Sequence, residues 1–85
     1  MIDLSKAEMN ERLIAYVQDE LLEDDDEQID ATTDLIMGGV IDSLDIVHLI
    51  TFVQNEFDIR IPPMDVTVEN FSTIAAITDY IQENL

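Results

Sequence analysis

The sequence predicts an all-α fold, a small antiparallel four-helix bundle with three main helices and one short helix. Three stretches repeat apolar residues at helical spacing, and each follows a residue type that caps helices. Apolar residues make up 47% of the 85 positions, with only two Gly and two Pro, a composition that can fold around one small core. A chain of this length has room for one domain, which we expect to span residues 1–85.

The first helix is predicted to begin at Ser5, whose hydroxyl is placed to cap the amide of Glu8. Leu4 and Met9 are spaced to pack together across this helix start. The apolar face follows one helical stripe, and the pattern stops at Leu22. Its members are Met9, Leu13, Tyr16, Val17 and Leu21.

Consecutive carboxylates at residues 23–27 follow this helix. Because they oppose the helix dipole and repel one another, we predict a long, partly ordered connection over residues 23–40. Ile29, Leu35 and Ile36 are expected to hold it to the core. The acidic run lacks the alternating ligands and central Gly of an EF-hand loop, so a solvated loop is expected there rather than a cation site.

The second helix is predicted to run from Asp42, its N-cap, to about Phe57, after a turn at Gly38–Gly39. Asp45 complements the positive end of the helix dipole. The core-facing stripe of this second helix consists of Ile46, Leu49, Ile50, Val53 and Phe57. The opposite side carries Leu44, Val47, His48, Thr51 and Asn55, so apolar residues lie where simple patterning would place charge.

The C-terminal third is predicted to contain the short helix and the last main helix. Pro62–Pro63 ends any continuation of the second helix, and a short helical segment is expected at residues 65–70. Ser72 is predicted to cap the last helix. The core-facing residues of that helix are Ile74, Ile77 and Ile81, with Tyr80 beside them.

The charge balance excludes several classes of partner. Three basic residues stand against 20 acidic ones, giving a formal net charge of −17. Nucleic acids and anionic membranes bind through Lys and Arg, so neither is expected as a partner, whereas basic protein surfaces are.

The absence of cysteine excludes disulfides, thiolate metal sites and thiol nucleophiles on this chain. No signal-like or membrane-length apolar run occurs, so we expect a cytoplasmic protein that is monomeric when free.

Ser43 is the candidate site residue, because it opens the second helix where a side chain projects to solvent and backbone amides favour a phosphate. A small hydrolase is not favoured. His48 lies about 140° around the helix, out of reach as a base, and a lone carboxylate such as Asp42 is too weak to activate a serine at neutral pH. His48 has no second His or Cys with which to bind a metal. Taken alone, Asp42–Ser43 is better explained as an ordinary helix start, because such capping pairs are common.

The surrounding segment, Gly38–Ile50 (GGVIDSLDIVHLI), resembles the attachment motif of acyl carrier proteins. The resemblance continues through Phe57–Pro62 (FDIRIP) and Thr67–Ile74 (TVENFSTI), and is weaker before Leu35. It implies an acyl-carrier-like fold and 4′-phosphopantetheine, taken from coenzyme A, joined to Ser43 by a phosphodiester. The thiol of that arm would hold an acyl or aminoacyl group as a thioester. The implied partners are a phosphopantetheinyl transferase, an acyl- or aminoacyl-loading enzyme, and a downstream acyltransferase or synthase with a basic docking surface.

The expected roles follow from this resemblance. Asp42 would cap the helix and present Ser43, and the expected partner contacts are Leu44, Asp45, Val47, His48 and Thr51. Carriers of fatty acid synthesis usually place several glutamates along the second helix, where this chain has His48, Gln54 and Asn55. The Gly-Gly-His-Ser order of peptidyl carriers is also absent. We therefore expect a dedicated, non-catalytic carrier in specialised biosynthesis of the polyketide, nonribosomal or antibiotic type. A fatty acid synthesis carrier and an unmodified acidic adaptor that binds through the second helix remain alternatives.

Overall fold

The computed structural model describes residues 5–22 and 28–84. Within these ranges the chain forms four α-helices and no strand. The helices are α1 (Lys6–Tyr16), α2 (Ser43–Phe57), α3 (Val68–Phe71) and α4 (Ile74–Glu83). A π-helical turn, Val17–Leu21, prolongs α1, and a 3-10 turn, Pro63–Asp65, precedes α3. The prediction of an all-α bundle with three main helices and one short one is confirmed.

Helix α1 begins as its sequence predicts. The Ser5 hydroxyl accepts a hydrogen bond from the Glu8 amide at 3.2 Å. The π-helical turn closes where the Leu22 amide donates to the Val17 carbonyl at 2.9 Å, which agrees with the predicted end of the apolar pattern. Leu4, one half of the predicted Leu4–Met9 contact, and the acidic run at 23–27 lie outside the described residues.

The core is built from the inner faces of α1, α2 and α4 and from the connection before α2. Its members are Met9, Leu13, Val17, Ile29, Leu35, Ile41, Leu49, Val53, Phe57, Ile61, Phe71, Ile74, Ile77, Tyr80 and Ile81. At the α1–α4 contact, the buried Thr78 hydroxyl donates to the Asn10 side-chain oxygen at 2.6 Å. The three predicted stripes therefore face one shared core.

The connection before α2 is fastened to the other end of the chain. Ile29 and Leu35 are buried and Ile36 packs against the core, as predicted. The Leu35 amide donates to the Ser72 carbonyl at 2.7 Å, and the Leu35 carbonyl accepts the amides of Val40 and Ile41, both at 3.0 Å. These bonds fix the path of the chain as it approaches α2.

The predicted cap of the last helix was wrong by one residue. Ser72 has helical backbone angles (φ −69°, ψ −34°) and ends α3, so it does not precede α4 in the extended conformation that an N-cap requires. Thr73 is extended (φ −137°, ψ 162°), and its hydroxyl accepts the Ala76 amide at 3.0 Å. Thr73 therefore caps α4.

The predicted short helical segment at residues 65–70 is divided in two. Thr67 caps α3 by accepting the Asn70 amide at 3.2 Å, so the helix begins only at Val68. The preceding 3-10 turn is held to α4 because the Tyr80 hydroxyl donates to an Asp65 carboxylate oxygen at 2.6 Å. Burial, with this hydrogen bond as the second cause, raises the pKa of Tyr80 to about 12.

No helix in the described ranges is long and apolar enough to cross a membrane.

Candidate functional site

The turn that delivers the chain to α2 depends on both glycines. Gly39 has a φ of +72°, in the left-handed region that favours glycine. A Cβ on Gly38 would collide with the backbone oxygen of Asp34. The Asp34 carboxylate in turn accepts the Met37 amide at 2.9 Å. The predicted Gly38–Gly39 turn is confirmed, and its two glycines act for different reasons.

The start of α2 is a reciprocal capping box. The Asp42 side chain accepts the Asp45 amide at 2.9 Å, and the Asp45 side chain accepts the Asp42 amide at 3.2 Å. Two amides of the helix start are thereby satisfied, and both carboxylates lie at the positive end of the helix dipole. Ile41, just before the cap, is buried in the core. The predicted capping role of Asp42 is confirmed.

Ser43 is the first residue of α2 and is exposed. Among the described residues, nothing forms a hydrogen bond with its hydroxyl, and the amides of Ser43 and Leu44 are likewise unbonded. The hydroxyl is therefore accessible to an external enzyme. Because the amides at a helix start favour negative charge, the position fits a covalently attached phosphate group.

Within residues 5–22 and 28–84, no histidine or carboxylate side chain is hydrogen-bonded to the hydroxyl of this serine. His48 is exposed, and in the described part of the chain no hydrogen bond joins it to Ser43. Its backbone carbonyl accepts the Tyr16 hydroxyl at 3.3 Å. Residues 5–22 and 28–84 also contain no group of three or more His, Cys, Asp or Glu side chains able to hold a metal ion. The arrangement presents a nucleophile without the partners that would activate it.

The predicted partner contacts fall into two environments. Leu44 and Val47 are 63% and 57% exposed, and His48 and Thr51 are also exposed on the same side of α2. Asp45 is half-buried, and its side chain is engaged in the capping box. The structure thus brings four of the predicted residues together on one helical face and places Asp45 beside it.

Three features of the region were not predicted from the sequence. Met37, in the turn before α2, is 75% exposed. Tyr16 stacks on Phe52 with ring centroids 4.1 Å apart, and Arg12 forms an ion pair with Glu56. Two sequence signals could have indicated these features. Met37 is an apolar residue directly before the two glycines, and Phe52 lies at the border between the core-facing and exposed sides of α2. Burial is the main reason why the pKa of Tyr16 is raised, and nearby acidic side chains add to the shift.

Comparisons with known proteins agree with this geometry. Residues 11–81 match the family model described as the phosphopantetheine attachment site. A D-alanyl carrier protein from Streptococcus sanguinis (strain SK36) is 31% identical over 71 residues, which cover 84% of this chain and 87% of that protein. The family match spans most of the chain and includes the whole of α2. The chain therefore belongs to the phosphopantetheine-attachment family of carrier proteins, which are not enzymes and carry 4′-phosphopantetheine covalently.

Proposed function

We propose that Ser43 bears the 4′-phosphopantetheine and that the chain carries acyl or aminoacyl groups on this arm to partner enzymes. The observation that supports Ser43 is its exposed, unbonded hydroxyl at the first position of α2, directly behind the capping box. The other serines are differently placed. Ser5 uses its hydroxyl to cap α1, and Ser72 is half-buried at the end of α3.

Each neighbour of Ser43 has a distinct part in this function. The Gly38–Gly39 turn and the capping box hold the start of α2 in one conformation. The unbonded amides of Ser43 and Leu44 are available to phosphate oxygens, which stabilises the attached group. When bound, the arm supplies a thiol for thioester formation, a group that this cysteine-free chain lacks. During attachment the Ser43 oxygen would displace adenosine 3′,5′-bisphosphate from coenzyme A, and the hydroxyl proton would be lost. Once the arm is attached, the chain's own residues only position it and take no part in making or breaking the thioester.

The proposed partners are a phosphopantetheinyl transferase, an acyl- or aminoacyl-loading enzyme, and a downstream acyltransferase or synthase. The net charge of −17 attracts basic surfaces on such enzymes and speeds their diffusional encounter. We propose that these encounters take place in the cytoplasm and that the carrier meets each enzyme as a monomer.

The proposed pathway class is specialised biosynthesis of the polyketide or nonribosomal type. The scarcity of carboxylates on the exposed side of α2 supports a carrier that differs from those of fatty acid synthesis.

An aminoacyl cargo is the choice that the similarity to a D-alanyl carrier protein favours. Isolation of the carrier from its native host, followed by intact-mass measurement, tests this choice. A mass increment equal to the arm plus an aminoacyl group (the amino acid less the water lost on thioester formation) is expected, and a long-chain fatty acyl increment would contradict it.

Incubation with coenzyme A and a phosphopantetheinyl transferase tests the attachment site. The wild-type chain is expected to gain the mass of one phosphopantetheine, and Ser43→Ala none. Ser5→Ala is the matched control, because it also removes an exposed serine at a helix start and should keep the full adduct. An unmodified wild-type chain, or an undiminished adduct on Ser43→Ala, would refute the proposal. Ser43→Ala also tests the adaptor alternative. An adaptor requires no modification, so this variant would keep full activity.

A further inference from the structure

A shallow groove lies between α2 and the first helix, α1, with its π-helical turn. We use the term α1–α2 groove for this opening, which has a volume of about 280 Å³. Two aromatic rings and four charged side chains line it: Arg12, Tyr16, Asp19, Glu20, Phe52 and Glu56. That volume is at the lower limit of small-molecule sites, and it has room for one long side chain of another protein.

The centre of the α1–α2 groove is aromatic and held in place. Tyr16 and Phe52 are half-buried, and their planes are inclined by only 15°. Phe52 also meets Phe57 at 89°, and the Tyr16 hydroxyl donates to the His48 carbonyl at 3.3 Å. These contacts fix both rings from the core side. A fixed aromatic surface attracts cations, and a planar guanidinium stacks on it.

The carboxylates of the groove differ in what they contact. Glu56 forms an ion pair with Arg12. Asp19 and Glu20 are exposed on the π-helical turn, and no ion pair among the described residues includes either of them. Carboxylates near the C-terminal end of a helix oppose its dipole, and the last turn of α1 contains no basic residue. A cation from outside the chain would neutralise this end of the groove.

The groove lies on the side of α2 away from Ser43. Phe52 is nine residues after Ser43, which places it about 180° around the helix and about 14 Å along it. Glu56 is about 220° around the helix from Ser43. A side chain seated in the α1–α2 groove therefore leaves the Ser43 hydroxyl uncovered.

We propose that the α1–α2 groove binds an arginine side chain of a basic partner protein, which holds the chain while Ser43 stays free for other enzymes. The guanidinium stacks on the aromatic centre and donates hydrogen bonds to the carboxylates of Asp19 and Glu20. The apolar stem of the arginine lies against the rings. Charge complementarity selects this occupant, because an anionic group or a second copy of this chain, with its own net charge of −17, is repelled. The inference does not rest on attachment at Ser43.

Titration with a peptide tests the occupant. The probe is acetylated and amidated tetra-arginine, added to the isotope-labelled chain at about 50 mM salt and followed by the NMR shifts of backbone amides. We expect saturable shifts centred on residues 12–20 and 48–56, and binding about threefold or more tighter than that of tetra-lysine. Tetra-citrulline, which has the shape of the arginine peptide without its charge, should not bind. Equal affinity for tetra-lysine, or shifts centred elsewhere, would overturn the proposal.

Neutralising two carboxylates separates the groove from the net charge. The double variant Asp19→Asn with Glu20→Gln should weaken tetra-arginine binding about tenfold. Its matched control is Glu69→Gln with Glu83→Gln, which removes two exposed carboxylates from α3 and α4 and changes the net charge equally. The control should weaken binding by less than about twofold. Equal weakening by the two double variants would contradict binding in the groove.

Substitutions of Tyr16 test the aromatic centre. Tyr16→Phe keeps the ring and should bind tetra-arginine as tightly as wild type, whereas Tyr16→Leu should bind it about threefold more weakly. Circular dichroism checks that each variant keeps its helices. Tyr16→Met, an unbranched apolar replacement, is used if Tyr16→Leu does not fold. Equal affinities of the ring-keeping and ring-removing variants would contradict the stacking of the guanidinium.

Adduct formation with coenzyme A and a transferase distinguishes this inference from the proposed function. Because the groove lies away from Ser43, the Asp19→Asn and Glu20→Gln double variant should be modified as fast as its control. Ser43→Ala should bind tetra-arginine as wild type does. An unmodified wild-type chain that still binds the peptide in the groove would refute attachment at Ser43 and support the groove. Modification of the groove variant about tenfold slower than that of its control would overturn the proposal, because the groove would then serve the transferase.

Discussion

The solvent-facing sides of α1 and α2 have opposite character. Each helix has six exposed residues. Those of α1 are Lys6, Ala7, Glu8, Glu11, Arg12 and Ala15. Those of α2 are Ser43 together with Leu44, Val47, His48, Thr51 and Asn55, and we use the term α2 outer face for the last five. Four of the six are charged on α1, and none is formally charged on α2. The net charge of the chain is therefore a poor description of the exposed side of α2, which begins directly after the exposed carboxylate of Asp42.

Core packing does not account for this difference. Both helices bury an ordinary apolar stripe, with Met9 and Leu13 on α1 and Leu49, Val53 and Phe57 on α2. A helix with such a stripe tolerates charge on its other side, as α1 demonstrates. The absence of charge on the α2 outer face is thus a property of the surface alone. It fits a helix that contacts other proteins, while the two basic and two acidic residues exposed on α1 keep that side hydrated.

The largest expected stability effect separates the inner and outer sides of α2. Leu49 is fully buried, and Leu49→Ala should lower the free energy of unfolding by about 3 kcal/mol through lost burial and a new cavity. Val47→Ala, on the outer face, should change it by less than about 0.5 kcal/mol. Urea unfolding followed by circular dichroism measures both. Comparable losses in the two variants would mean that Val47 packs in the core.

The caps of the two helices should differ by a smaller amount. Asp42→Ala should lower the free energy of unfolding by about 1 to 2 kcal/mol, since it breaks the capping box and removes a negative charge from the helix start. Ser5→Ala should cost at most about 1 kcal/mol, because it removes one hydrogen bond to the Glu8 amide. Thermal unfolding of both variants, with Asp42→Asn as the control that keeps a capping oxygen, makes the comparison. A larger loss for Ser5→Ala would contradict it.

Local signals in the sequence predicted the parts of the fold that local chemistry determines. The caps at Ser5 and Asp42, the three core-facing stripes and the glycine turn all depend on residues within one or two helical turns. The position of Ser43 follows from the same signals, which is why its exposure at the start of α2 was predictable.

The cap of α4 was not predictable in this way, since Ser72 and Thr73 are adjacent and both residue types cap helices. In the structure, in which Thr73 is the cap, the amide of the distant Leu35 donates a hydrogen bond to the Ser72 carbonyl. No local sequence pattern contains this long-range contact. The stacking of Tyr16 on Phe52 similarly depends on how α1 and α2 are oriented relative to each other.

The smallest expected effect concerns the charge on the two solvent-facing sides. Glu11→Gln removes an exposed carboxylate one turn from Glu8 and should raise the free energy of unfolding by about 0.3 kcal/mol at low ionic strength. Asn55→Asp adds a carboxylate near the C-terminal end of α2 and should lower it by a similar amount. Thermal unfolding at about 10 mM and 500 mM salt, where the screening length falls from about 30 Å to a few ångströms, tests both changes. Salt should raise the Tm of every variant and bring their values together. A wild-type Tm that does not respond to salt would show that self-repulsion among the excess carboxylates does not limit the stability of the fold.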